Sequence, residues 1–304
     1  MTANKLSGVL SPVITPFKDD LSPDAGRLIA QCKWLLSQNT GLAVFGTNSE
    51  ANSLSVDEKI MLLDRLVEAG VDTGRMMPGT GCCALTDTVR LTEHAARIGC
   101  AGTLMLPPFY YKDVSDDGIY ANFAEVISRT GNDALRIYLY HIPPIAQVGF
   151  SLDLIERLVT DFPDTIVGIK DSSGDWDNTR SMLDRQWDDF RVFVGSEGFL
   201  LANMQNGGAG CISATANINP TAIDHLFRTW RSDDADQQQH ALNDIRATVM
   251  AYPMIPALKA TVAEFSGDDQ WRIVRPPLVR LPDDQSAALA TALRQKGFAM
   301  PGLG

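Results

Sequence analysis

With 304 residues, 45% hydrophobic and 21% charged, the chain has the material for one large domain with a sizeable core, which makes disorder a poor starting assumption. A net charge of -11 without any Lys/Arg cluster excludes the classes that grip phosphate backbones, and solubility accounts for the charge. No stretch of about 18 apolar residues occurs, Met1 to Leu10 lacks a basic segment leading into an apolar run, and five cysteines include no C-x-x-C pair, so the expectation is a reduced, cytoplasmic protein with no membrane partner.

Short runs rich in Val, Ile and Leu recur between longer amphipathic segments, which predicts strands feeding crossover helices in a parallel sheet. Eight such runs are read: Gly8 to Thr15, Leu42 to Gly46, Met76 to Thr80, Gly102 to Pro107, Arg136 to Ile142, Ile166 to Lys170, Arg191 to Gly195 and Gly210 to Ala214. Helical periodicity lies between them at Val56 to Ala69, Thr86 to Ile98, Gly118 to Thr130, Leu152 to Asp161 and Gly198 to Asn206. Ser55 with Glu58 three residues on predicts a capping box, and Ser151 predicts a cap for the segment from Leu152. Eight alternations favour a closed (β/α)8 TIM barrel over an open doubly wound sheet, and barrels of this kind take roughly 250 residues.

From Pro220 onward only helices are predicted, at Thr221 to Arg231, Asp236 to Tyr252, Pro256 to Phe265 and Asp284 to Lys296, with the Pro-rich stretch Arg275 to Pro282 among them. The expected organisation is therefore α/β, with a catalytic barrel over 1–219 and a C-terminal helical extension over 220–304 packed on it.

In a barrel the reactive groups sit at the carboxyl ends of strands. The most informative of these ends is Ile166-Val-Gly-Ile-Lys170-Asp-Ser-Ser-Gly174. A lysine closing an apolar strand is costly to desolvate; desolvation disfavours an ammonium, and a neutral amine attacks a ketone. The bland alternative is a lysine that reaches solvent or pairs with Asp171. One strand back, Arg136 to Pro144 places Tyr138, Tyr140 and Ile142 on one face by alternation and turns His141 away from it. A phenol at that end can relay protons during carbinolamine formation, although packing is the commoner role for a tyrosine. The second strand end, Phe45-Gly-Thr47-Asn48-Ser-Glu50, has small residues and free N–H groups suited to a carboxylate, and Glu50 suits a structural role at a helix start. The last, Gly207 to Asn217, has glycines that admit close backbone approach to a ligand or a tight corner.

Taken in order, these elements resemble the family of dihydrodipicolinate synthases and N-acetylneuraminate lyases, pyruvate-dependent class I aldolases, over nearly the whole chain. Gly46 to Glu50 stands where the family's G-[T/S]-T-G-E motif stands, Tyr140 to Pro143 matches Y-x-x-P, and Gly168 to Gly174 matches G-[I/L/V]-K-[D/E]-[S/A]-[S/T]-G. Pro107 to Tyr111 resembles the segment that adds a further tyrosine, and Gly195 to Glu197 and Gly208 to Ile212 fit the last two strands. The resemblance implies Lys170 as Schiff-base nucleophile on pyruvate or another 2-oxo acid and Tyr140 as proton relay. It further implies Thr47 and Asn48 at the substrate carboxylate, and Gly195 and Ile212 lining the substrate site. Tyr111 is preferred as the relay neighbour, with Tyr110 the alternative that the spacing also allows. No metal or organic cofactor is implied, and a homotetramer, a dimer of dimers, is.

Two departures refine this. Dihydrodipicolinate synthases carry an Arg shortly after Y-x-x-P, whereas no Arg occurs between Tyr140 and Arg157 and the loop reads Pro144-Ile-Ala-Gln-Val148. A charge-assisted hydrogen bond contributes roughly 1.5 to 3 kcal/mol, so the lysine-biosynthesis assignment is disfavoured. Asn48-Ser49 also replaces the common Thr-Gly. The expected activity is that of a lyase on a pyruvate-derived 2-oxo acid, with a sugar-derived 2-keto-3-deoxy acid as a candidate. A dehydratase or hydratase using the same Schiff base, and a non-catalytic 2-oxo acid sensor, are the alternatives. A metal-dependent barrel hydrolase would need ligands at several strand ends, and the chain has four His in all.

Overall fold

The computed structural model describes residues 5–303. Expectations falling on 1–4 and 304, namely the start of the Met1 to Leu10 reading and the outer ends of the two domain ranges, lie outside the described residues. The first half of the chain runs β1 (Gly8–Ser11), α1 (Ala25–Ser37), β2 (Gly41–Leu42), α2 (Val56–Glu68), α3 (Leu85–Arg97), β3 (Thr103–Met105), α4 (Asp116–Thr130), β4 (Ile137–His141) and α5 (Pro143–Ala146). It continues through α6 (Leu152–Asp161), β5 (Ile166–Asp171), α7 (Trp176–Asp184), β6 (Arg191–Val194), α8 (Leu200–Gln205) and β7 (Gly210–Ile212). Helices alone follow: α9 (Pro220–Thr229), α10 (Ala235–Met250), α11 (Met254–Ser266) and α12 (Asp283–Gln295).

The protein is α/β, and every pairing recorded between its strands is parallel. Among the described residues seven strands form where eight were expected. The missing one, at Met76 to Thr80, is a single parallel bridge between Gly79 and Leu104. Pro78 has no N–H to give a ladder, yet its carbonyl accepts from Leu104 N at 2.9 Å, and Thr80 N donates to Leu104 O at 3.1 Å. The second run is cut short at Leu42 because Phe45 turns to φ 62°, outside the range a strand can use.

The chain forms two compact units, one of residues up to 8 and 72–212, the other of 9–71 and 213 onward. In the first, β3 to β7 pair in sequence order, with β4 and β5 the longest pair. One face of these strands is apolar: Met105, Ile137, Leu139 and Ile169 pack with Phe123 of α4 and Ile155 and Leu158 of α6 in a single buried cluster. The other face carries Tyr138 and Tyr140 on β4, in register with Gly168 and Lys170 on β5. Gly168 must be glycine: an added Cβ would lie 2.5 Å from Arg191 O and 2.6 Å from the Tyr138 ring.

In the second unit β1 pairs with β2, and α1, α2 and α9 to α12 supply the bulk. The capping box forms as predicted, with Ser55 N donating to Glu58 Oε2 at 2.9 Å and Glu58 N to Ser55 Oγ at 3.2 Å. In the first unit Ser151 Oγ accepts from Leu154 N at 3.1 Å, so that cap also forms.

Candidate active site

Lys170 is the penultimate residue of β5, only 2% exposed, and its Nζ lies 4.2 Å from the centroid of the Tyr140 ring. Strand register makes this contact: Tyr140 stands opposite Lys170 in the parallel β4–β5 pair, on the face away from the apolar cluster. Tyr140 is itself 3% exposed. Lys170 joins no ion pair among the described residues. Asp171 does not serve it, because that carboxylate accepts from Ser173 N at 2.9 Å, Asn178 Nδ2 at 3.1 Å and Thr179 Oγ1 at 2.6 Å. Ser173 in the turn before α7, and Asn178 and Thr179 in its first turns, thereby fix the strand end that carries the lysine.

His141 follows Tyr140 but belongs to other surroundings. Its Nδ1 accepts from Phe150 N at 3.0 Å, which puts the proton of a neutral ring on Nε2. Burial holds its pKa below the ordinary value, and the charge of Asp171 opposes that shift. The ring fastens the segment after α5 to the end of β4, and Gly149 leaves room for it, since a Cβ there would come within 2.7 Å of Cε1. Tyr138 likewise packs: its hydroxyl accepts from Leu6 N at 2.8 Å and burial pushes its pKa up to about 12.

Gly195 and Ile212 close the same unit. Gly195 N donates to Asp171 O at 2.6 Å, and a Cβ at that glycine would meet Ser172 Oγ at 2.0 Å, so only hydrogen fits beside the lysine-bearing strand end. Ile212 ends β7 and is fully buried. Tyr110 and Tyr111 pack edge to face with centroids 5.4 Å apart on the loop after β3. They are 74% and 73% exposed, and no ring contact or hydrogen bond joins either to Lys170.

Thr47 and Asn48 belong to the second unit, in a single 3-10 turn, Thr47–Ser49, both half-buried. Ser49 explains how this turn tolerates losing the family's glycine. Its hydroxyl accepts from Gly46 N at 3.1 Å and its carbonyl accepts from Thr15 Oγ1 at 2.6 Å, so the side chain closes the turn from within. Glu50 then takes the left-handed conformation, φ 56°. Its carboxylate is fully buried, ion-paired with the equally buried Lys259 of α11, and accepts from Arg275 N at 2.9 Å.

Lys259 escaped the sequence reading, because a single lysine in a helix ordinarily extends to solvent. Here its Nζ donates to Ile273 O at 2.6 Å and sits 4.4 Å from the centre of the Phe17 ring. Burial pulls its pKa down to about 8 in spite of Glu50. The signal was present: α11 is otherwise almost wholly apolar around it, with Pro256 to Ala263 all buried. Asn217 was also missed. It is fully buried, accepts from Ile14 N at 3.0 Å and donates to Pro12 O at 3.0 Å, tying the β1 exit to the turn after β7.

Among the described residues no group of three or more His, Cys, Asp or Glu is arranged to hold a metal, and no helix is long and apolar enough to cross a membrane.

Residues 5–296 match the Dihydrodipicolinate synthetase family. An uncharacterized DapA-like lyase of Chloroflexus aurantiacus is 32% identical over 94% of this chain and 95% of its own length. Among solved structures, dihydrodipicolinate synthase from Agrobacterium tumefaciens is 30% identical with a TM-score of 0.87, covering 95% of this chain and 98% of that one. YagE, an E. coli prophage protein of the dihydrodipicolinic acid synthase family solved with pyruvate, is 25% identical with a TM-score of 0.88, covering 96% and 99%. A buried lysine against a tyrosine on neighbouring parallel strand ends, within a match of this length, leads to one conclusion: the chain belongs to the dihydrodipicolinate synthetase family and is a lyase.

Proposed function

We propose that Lys170 forms a Schiff base with pyruvate or a pyruvate-derived 2-oxo acid, and that the protein is a class I aldolase. The observation that carries this reading is the Lys170 amine, buried, joined to no carboxylate and 4.2 Å from the Tyr140 ring. The amine adds to C2 of the oxo acid to give a carbinolamine, a proton passes to the departing hydroxyl, and water leaves an iminium. The C4 hydroxyl loses its proton as the C3–C4 bond breaks, and the bond's electrons pass to the iminium to give an enamine and an aldehyde; a proton then returns to C3, and water hydrolyses the resulting iminium to the acid and the free amine. Tyr140 moves the protons of the carbinolamine steps, and Tyr111, or Tyr110, is the relay neighbour. Thr47 and Asn48 hold the substrate carboxylate through backbone and side-chain donors, while Gly195 and Ile212 line the site. The scheme uses no metal or organic cofactor.

A sugar-derived 2-keto-3-deoxy acid fits better than the substrate of lysine biosynthesis, because the loop after Tyr140 offers Ile145 and Gln147 where an Arg would bind a second carboxylate. A dehydratase or hydratase would use the same iminium and the same residues, so the products distinguish the two. The assembly proposed is a closed (β/α)8 barrel over 1–219 with a helical extension over 220–304, working in the cytoplasm as a homotetramer. The bridge at Gly79 supports an eighth barrel element.

Deuterium exchange at C3 of pyruvate, followed by proton NMR in D2O, tests the proposal without knowledge of the aldehyde partner. Exchange is expected with the native chain and is expected to vanish in Lys170→Ala. Exchange that persists in that variant, or never occurs in the native chain, contradicts the reading.

A further inference from the structure

The Thr47–Ser49 turn, to which the substrate carboxylate is assigned, ends in a residue that its backbone alone would not keep in place. Glu50 has φ 56°, a left-handed conformation that is unfavourable for a side chain with a Cβ and persists only where the surroundings fix it. The fixing comes through its carboxylate, which is ion-paired with Lys259 of α11 and accepts from Arg275 N at 2.9 Å. Lys259 is anchored in turn: Nζ donates to Ile273 O at 2.6 Å and lies 4.4 Å from the centroid of the Phe17 ring. Both side chains of the pair are fully buried, so water competes for neither.

The rest of the segment is tied down on the same side. Arg275 Nη1 donates to Ser53 O at 2.6 Å and to Glu58 Oε2 at 2.8 Å, and Nη2 donates to Glu58 Oε1 at 2.5 Å. Upstream, Ser49 O accepts from Thr15 Oγ1 at 2.6 Å and Ser49 Oγ from Gly46 N at 3.1 Å. Thr47 and Asn48 lie between these fastenings, and Glu50 N donates to Thr47 O at 3.1 Å, which joins the tethered residue directly to the turn. A buried ion pair is a poor source of stability, because apolar side chains of similar volume often do as well or better. What it supplies and an apolar contact does not is direction: one carboxylate, held from two sides, selects one backbone conformation.

We propose that Lys259 is a positioning residue for substrate binding: through Glu50 it holds the Thr47–Ser49 turn in the conformation that aims the Thr47 and Asn48 donors at the carboxylate. This rests on the assignment of Thr47 and Asn48 to that carboxylate. Because the carboxylate stays bound through every step, the pair governs affinity and not the rate of the bound complex. The test is deuterium exchange at C3 of pyruvate over a range of pyruvate concentrations, at neutral pH, below the value of about 8 to which burial takes Lys259. Lys259→Met is expected to raise the half-saturating concentration about tenfold or more, equivalent to one lost hydrogen bond to a charged group. The saturating rate is expected to stay within about twofold, as for any loss of uniform binding. A pair that served folding alone would do the opposite, since fewer folded molecules lower the saturating rate and leave the half-saturating concentration where it was. Lys259→Met combined with Glu50→Gln removes the buried charge left without its partner, which preserves the fold where the single change loses it, and the same rise is expected. An unmoved half-saturating concentration in the combined variant, while the native chain exchanges, overturns this proposal alone. A native chain that exchanges no pyruvate protons overturns the Schiff-base reading, and this proposal with it.

Discussion

Tyr140 and Lys170 face one another because a parallel register places them on the same side of two neighbouring strands, and that contact gives each a separable prediction. Tyr140→Phe keeps the ring over the amine and removes only the proton carrier. It should lower kcat by about 10²- to 10⁴-fold with little change in KM, measured by steady-state kinetics once a turnover substrate is in hand. Away from that pair, Lys259 and Glu50 form an ion pair with both side chains fully buried. Breaking such a pair from one side costs about 3–5 kcal/mol, so Lys259→Met should lower the urea midpoint strongly, and adding Glu50→Gln should restore part of the loss. The pair also has a pH signature. Lys259 titrates at about 8 when folded against an ordinary 10.5, so between those values the unfolded chain holds the extra proton. Its contribution to stability therefore rises as pH climbs from 8 towards 10.5, and it falls away as pH drops through 8. The native chain should show this slope in urea titrations and Lys259→Met should lack it; parallel curves would contradict the assignment. Lys170 and Tyr140, which strand register brings together, and Thr47 were singled out in the sequence because each stands in a motif at a strand end. Lys259 and Asn217 were not, since their partners, Glu50 and Ile14, lie some 200 residues away in the chain.

The elements that carry the site are short, and glycine sets how closely they approach. A Cβ at Gly168 would lie 2.5 Å from Arg191 O and 2.6 Å from the Tyr138 ring, whereas a Cβ at Gly207 meets nothing within 4 Å. Gly168→Ala should therefore destabilise the chain by roughly 1–3 kcal/mol, the usual cost of overpacking, and reduce activity by displacing the strand that bears Lys170. Thermal unfolding and turnover compared with the native chain check both effects. Unchanged values in both would show that β5 has slack the packing denies. Alternation of apolar runs and helical segments was enough to place the seven strands found among the described residues, and the cap at Ser55 was readable from two residues. Strand ends were harder. The run from Leu42 stops early because Phe45 leaves the extended region, and Met76 to Thr80 survives as one bridge because Pro78 lacks a donor. The first depends on a backbone angle that hydrophobic pattern does not encode, and the second on a missing donor that a count of apolar residues passes over.

At the scale of the molecule the chain folds as two compact units, with boundaries near residues 8, 71 and 212; the glycines before the last, Gly207, Gly208 and Gly210, were read as close backbone approach or a tight corner. The alternation of apolar runs and helical segments indicated the α/β class but gave no sign of these boundaries. The proposed homotetramer predicts that sedimentation equilibrium at micromolar concentration returns the mass of four chains; a monomer mass would remove that part of the proposal. The central claim is a covalent bond at one nitrogen, and trapping it is the most direct measurement. The chain is incubated with pyruvate, reduced with borohydride, digested, and mapped by peptide mass. The account predicts a single reduced adduct on Lys170. An adduct on any other lysine, or none, would contradict it.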